Sequence, residues 1–97
     1  MAYCLAVKWT IKDGEFDAVL AALRPLAEAS RAEPGCEIYQ AHRDPENPNV
    51  IFLYERYVDE AAYQTHAESE HFKKYGPDDI FPRRESAERA AYVTFEP

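Results

Sequence analysis

Two cysteines, three glycines, one methionine and one tryptophan are scattered through 97 residues. Cys4 and Cys36 stand far apart with no Cys-x-x-Cys spacing. They form no thiolate zinc motif and read as small buried hydrophobes, not a disulfide framework. The glycines build no phosphate-cradling loop. Basic side chains are also scarce: 11 Lys and Arg face 18 Asp and Glu, a net charge of −7. Without a Lys/Arg cluster such a chain repels phosphate backbones and anionic lipid, so neither nucleic acid nor membrane is an expected partner. No apolar run is long enough to span a bilayer. The run Ala2–Trp9 is too short for a signal peptide and lacks a basic segment, so a cytoplasmic location is expected. No internal repeat stands out.

What is abundant is apolar and aromatic: 46% and 13% of residues, with seven tyrosines. Tyrosine supplies surfaces that are greasy yet able to hydrogen-bond. One domain over residues 1–97 is expected. A chain this short removes only roughly 60–65% of its unfolded surface on folding, so dimerisation is a natural source of further burial.

Ala2–Ile11 alternates, with Tyr3, Leu5, Val7, Trp9 and Ile11 on one face, and predicts a strand. Lys12-Asp13-Gly14 is a turn. Glu15–Ala32 has helical spacing through Phe16, Val19, Leu20, Leu23 and Leu26. Pro25 inside it predicts a kink or a split after Leu23, and Gly35 beyond it suits a positive φ. Cys36–Arg43 predicts a strand with Cys36, Ile38, Gln40 and His42 on one face. The proline- and asparagine-rich loop Asp44–Asn49 predicts a hairpin into Val50–Tyr57. That most apolar strand sets Ile51, Leu53, Glu55 and Tyr57 against Phe52, Tyr54 and Arg56. Asp59 reads as a helix N-cap, and Ser69 as the cap of a further helical turn ending at Gly76-Pro77. Asp78–Glu85 carries no clear pattern, with Pro82-Arg83-Arg84 reading as loop. Ser86–Arg89 has weak helical character, and Ala90–Glu96 predicts a last strand.

The order β-α-β-β-α-(α)-β predicts an α+β, ferredoxin-like split βαβ: a four-stranded antiparallel sheet with helices on one face. Apolar residues on both strand faces leave the open face in need of a cover. A second copy, sheet on sheet as a homodimer closing an α/β barrel, is the simplest one.

Several pieces in order resemble a known family: Glu33-Pro34-Gly35-Cys36, Tyr39, Arg43-Asp44-Pro45-Glu46-Asn47-Pro48, Leu53-Tyr54-Glu55-Arg56-Tyr57, Asp59-Glu60-Ala61-Ala62, His66 and Ser69-Glu70-His71-Phe72. Together they resemble the antibiotic biosynthesis monooxygenase (ABM) domain of the dimeric α/β-barrel superfamily. The resemblance implies a dimer with a pocket in each protomer between sheet and helices. It also implies oxidation of a small quinol, phenol or related electron-rich aromatic by dioxygen, without metal, flavin or other cofactor. In polyketide-oxidising members the third strand supplies an Asn and a Trp, and the next helix a Tyr. Leu53, Tyr57 and Tyr63 stand at those positions, so only the helical tyrosine is kept. Haem-degrading members use a first-strand Asn, where Val7 stands, together with a Trp matched by Tyr57 and a helical His near His66.

His66 is the candidate base, since it titrates near neutrality and a substrate must be deprotonated before it meets dioxygen. Its plainer role is a histidine satisfied by a backbone carbonyl. Glu55, a carboxylate in an apolar strand, is either a proton acceptor or half of a buried pair. Tyr63 joins them as a catalytic candidate. Tyr57, Leu53, Trp9, His71 and Phe72 are the candidate substrate-binding residues; ordinary core is the alternative for the aromatics. One His per helix face is too few for a metal site. The same pocket could serve an isomerase or other proton-transfer enzyme, or a non-catalytic ligand-binding dimer.

Overall fold

Period-two alternation turns Leu5, Val7, Trp9 and Ile11 to one side of strand β1 (Tyr3–Ile11), where all four are buried. They pack beneath Val19, Leu23 and Leu26 of helix α1 (Phe16–Arg31). Each such side chain contributes about 1.5–3 kcal/mol by leaving water. The chain then forms β2 (Cys36–Arg43), β3 (Val50–Tyr57), α2 (Glu60–Ala67), α3 (Glu70–Tyr75) and β4 (Arg84–Val93). A π-helical turn (Gly76–Ile80) and a 3-10 turn (Phe81–Arg83) join α3 to β4. The computed structural model describes residues 1–97.

The strands make one antiparallel sheet in the order β2-β3-β1-β4, with the helices on one face, which is the ferredoxin-like α+β architecture. The helix caps are those expected: the Asp59 side chain accepts from the Ala62 N–H and the Ser69 side chain from the Phe72 N–H. No helix is long and apolar enough to cross a membrane. On the helix-free face Ile38, Phe52 and Tyr92 are exposed.

Four local expectations are corrected. Helix α1 runs unbroken through Pro25, so the split expected after Leu23 does not occur. The carbonyl that the proline leaves without its donor belongs to Ala21, an exposed residue where water serves. Gly35 does not adopt a positive φ; Gly14 does, at 82°. Gly35 is instead required by close approach, because a Cβ there would lie 2.5 Å from the Ala62 Cβ. In β2 the register shifts between Cys36 and Ile38, so Cys36 pairs with Tyr57 but Ile38 with Arg56. The bulge puts these two residues on opposite faces. Finally, β4 starts at Arg84, so Ser86–Arg89 is strand and not helix. It pairs with β1 from Tyr3↔Val93 to Ile11↔Arg84, and this long ladder overrides a composition that favours helix.

Candidate active site

Between the sheet and the helices lies a cavity of about 210 Å³. Leu5, Val7 and Trp9 form its floor, Leu26 and Tyr39 one side, and Phe72 and Phe81 another, with Tyr63, His66 and Glu55 at one end and Arg84, Ala87 and Arg89 along β4. Of the residues expected in a site, His66, Tyr63, Glu55, Trp9 and Phe72 therefore share its wall. Tyr57, Leu53 and His71 do not line it. Leu53 belongs to the core, and Tyr57, fully buried, stands behind Glu55. His71 reaches the site only through another residue, Glu33.

Helix α2 ends at the wall with His66 buried inside a ring of aromatics: its centroid lies 5.4 Å from that of Tyr57 and 5.3 Å from that of Phe72. These contacts leave the imidazole little freedom to turn. Its Nδ1–H donates to Glu33 Oε2 at 2.9 Å, and His71 Nε2–H donates to the same oxygen at 2.5 Å. In the tautomer whose proton sits on Nδ1, the His66 ring turns an Nε2 lone pair toward Glu55. That nitrogen is 3.8 Å from Glu55 Oε1, too far for a hydrogen bond between them. Glu55 in turn accepts from the Tyr57 hydroxyl at 2.6 Å.

The electrostatics follow from this enclosure. Burial pushes the Glu55 carboxyl above the usual range, opposed by the Tyr57 hydrogen bond, by His66 when that ring carries a second proton, and by Arg89. Burial also raises the Tyr57 hydroxyl, helped by the Glu55 charge, so it stays a donor. The Cys36 thiol is pushed up to about 11, by burial first and then by Glu33 and Glu55. At the open side, Arg89 Nη2–H donates to the Tyr63 hydroxyl at 2.9 Å. Tyr63 therefore has its own O–H free to donate to a ligand oxygen.

Glu33, Arg84 and Arg89 are positions in or beside the cavity that sequence reasoning missed. In the sequence Glu33 follows the helical spacing and precedes Pro34-Gly35, Arg84 lies in a stretch that reads as loop, and Arg89 lies in one of weak helical character. The one sequence signal was Gly35, a residue small enough to let the Glu33 loop close on α2. Glu33, His66 and His71 each offer one ligand atom, all within 4.8 Å of one another. Two imidazoles and a carboxylate can bind a transition metal. Helices α2 and α3 thus bring together two histidines that the one-per-face reading had kept apart. The two imidazoles already share Glu33 Oε2, while Glu33 Oε1 is buried with no hydrogen-bond partner.

The family model described as antibiotic biosynthesis monooxygenase matches residues 2–77. The chain belongs to that family. A crystal structure titled as an antibiotic biosynthesis monooxygenase is 28% identical, covering 99% of this chain and 100% of that one, at TM-score 0.89. A Bacteroides thetaiotaomicron protein is 29% identical over 99% of this chain and 91% of its own, also at TM-score 0.89. PA3566 from Pseudomonas aeruginosa is 26% identical over 98% and 95%, at TM-score 0.85. No curated protein matches the sequence. As a member of the ABM family, the chain carries a monooxygenase-type scaffold whose substrate these relatives do not name.

Proposed function

We infer that the protein is a cofactor-independent monooxygenase of a small quinol, phenol or related electron-rich aromatic, working in the cytoplasm as a homodimer joined through its helix-free sheet faces. One observation carries the reading: His66, held through Nδ1 by Glu33, turns its other ring nitrogen, Nε2, toward Glu55 on the wall of an apolar cavity. A ring hydroxyl placed beside that nitrogen would give its proton to Nε2, while the Tyr63 O–H steadies the phenolate oxygen. The electron-rich ring then reacts with dioxygen. One oxygen atom enters the ring and the other leaves as water, so hydroquinone plus dioxygen becomes hydroxybenzoquinone plus water. The substrate supplies every electron, and the protein supplies deprotonation, orientation and exclusion of bulk water. Glu55 and Glu33–His71 flank His66 and give the abstracted proton somewhere to go.

The test is oxygen uptake by purified protein across a panel of hydroquinones and hydroxylated aromatics. Turnover is expected to fall about 10²–10⁴-fold in His66→Asn, the usual span of a general base. No uptake above the uncatalysed rate with any of the panel sinks the proposal. A second reading, isomerisation by proton transfer, draws on the 3.8 Å His66–Glu55 pair, which could take a proton at one atom and return it at another. Activity that survives under argon would select it.

A further inference from the structure

We propose that Arg84 is an anion subsite that binds the carboxylate of a single-ring, hydroxylated aromatic substrate. The proposal rests on the cavity being the substrate site and adds which substrate it takes. Size comes first. A cavity of about 150 Å³ suffices for benzene, so a space of about 210 Å³ holds one substituted ring rather than a fused polycycle. Trp9, Phe72 and Phe81 make its sides flat and apolar, as an aromatic ring requires.

Arg84 has no acceptor. Its Nε is buried and unbonded, and it takes part in no salt bridge, while its guanidinium lies 3.7 Å from the Phe81 ring centroid. Its neighbour Arg83 is fully engaged, donating to Glu15 at 2.7 Å and Asp79 at 3.0 Å. In a chain with 18 acidic residues against 11 basic ones, an arginine unpaired in a cavity wall is not short of available carboxylates. Glu88, which also borders the cavity, is mostly exposed and turns to Lys8 at 3.7 Å. Burial pulls the Arg84 pKa down with no carboxylate opposing it. The buried Nε–H beside an Nη–H forms a side-on fork, the shape that grips a planar carboxylate through two parallel bonds. No lysine joins it in the wall, and the other guanidinium there, Arg89, is held at the far end by the Tyr63 hydroxyl, so no second positive charge gathers at Arg84 to favour a more highly charged phosphate.

Position gives the ligand a direction. Along β1, Arg89 pairs with Val7 and Arg84 with Ile11. Four residues of strand separate them, about 13 Å of backbone. Arg89 serves Tyr63 at the His66 end, and Arg84 stands beside Phe81 at the other. A ligand that fits both ends carries a hydroxyl toward His66 and Tyr63 and an anion toward Arg84.

Gentisate, a hydroquinone with one carboxylate, and its methyl ester test this. Trp9, the one tryptophan, lines the cavity and reports binding by its emission. Titrations are run on the intact protein under argon at neutral pH. Gentisate is expected to bind wild type about tenfold or more tighter than the ester, the worth of a charge-assisted hydrogen bond. Arg84→Gln is expected to weaken gentisate by about tenfold and leave the ester within about twofold, and Arg84→Lys, which keeps stem and charge but loses the fork, to fall between. Equal wild-type affinities, equal loss of both ligands in Arg84→Gln with no acid preference in Arg84→Lys, or no saturable change with either ligand would overturn the subsite. Oxygen uptake separates this result from the monooxygenase reading. Acid-selective binding without uptake keeps the subsite and ends that reading. Uptake at the same half-saturation with acid and ester does the reverse.

Discussion

Glu55→Gln separates chemistry from stability at one atom. The Glu55 carboxyl is buried, and its pKa is raised above 4.5 chiefly by the loss of water around it. A carboxyl whose folded pKa exceeds its unfolded value binds its proton more tightly in the native state. Its contribution is therefore fully present below the unfolded pKa and is lost as pH rises through the folded one. Above its folded pKa wild type holds a charged Glu55 whose burial outweighs the Tyr57 bond and the positive potential around it. The amide keeps an oxygen for the Tyr57 hydroxyl and removes the charge. A site residue that is costly to fold has the usual activity trade-off, so the variant should gain about 0.5–2 kcal/mol at pH 8. In a domain of this size each kcal/mol moves Tm by about 4–8 °C. Urea unfolding of both proteins, at one protomer concentration so that any dimer linkage cancels, should show that gain at pH 8. It should shrink toward zero near the 4.5 of an ordinary carboxyl. Oxygen uptake should fall even though the variant is more stable. A wild type that is the more stable protein at pH 8 would refute the reasoning, because it would make Glu55 a net stabilising partner of His66 rather than a buried charge kept for reactivity.

Glu33→Gln replaces the carboxylate that two imidazoles share with a group of one acceptor and one donor. Turnover should drop about 10–100-fold, as for other groups that orient a histidine, with circular dichroism unchanged; full activity would remove Glu33 from the site. Gly35→Ala drives a methyl to 2.5 Å from the Ala62 Cβ. It should cost about 1–3 kcal/mol of overpacking and lower Tm by roughly 4–24 °C in a calorimeter; an unchanged Tm would mean that this loop does not press on α2. Phe52→Glu places a charge on the exposed helix-free face. If the proposed sheet-to-sheet dimer forms, sedimentation should show dimer for wild type and monomer for the variant, and a variant dimer would move the interface elsewhere.

The legible parts of this chain were those with a local cause. β1 and β3 alternate, and Asp59 and Ser69 sit where a cap must sit, so their elements could be read directly. β4 has no such signal. Its residues are mostly exposed, rich in alanine and charge, and become strand because β1 offers an edge to pair with. The site divides the same way. Glu55, Tyr63 and His66 lie on one strand-helix unit whose periodicity can be followed. Glu33 reaches them from 33 residues away in sequence, Arg89 meets Tyr63 from 26, and Arg84 arrives by a ladder no local pattern announced. Tyr57 sits behind the wall because the strand turns it under α2, an outcome that a face assignment alone does not distinguish from lining a cavity.

The break at Ser69 is what makes a shared carboxylate possible. On one continuous α-helix, residues five apart point about 140° away from each other. His66 and His71 would then face different neighbours and could not meet at one oxygen. Ser69 ends that regime with a single side chain. Its hydroxyl donates to the His66 carbonyl at 2.7 Å and accepts from the Phe72 N–H at 3.1 Å, closing α2 and opening α3 in the same place. The second helix leaves in a new direction and swings His71 back toward Glu33. Gly35 completes the arrangement from the other side, since only a residue without a Cβ lets the Glu33 loop lie against Ala62. His66, buried, is thus joined through one oxygen to His71, which is partly exposed. The path from cavity to solvent runs through a helix break, a glycine and a glutamate, and the broad fold alone dictates none of the three.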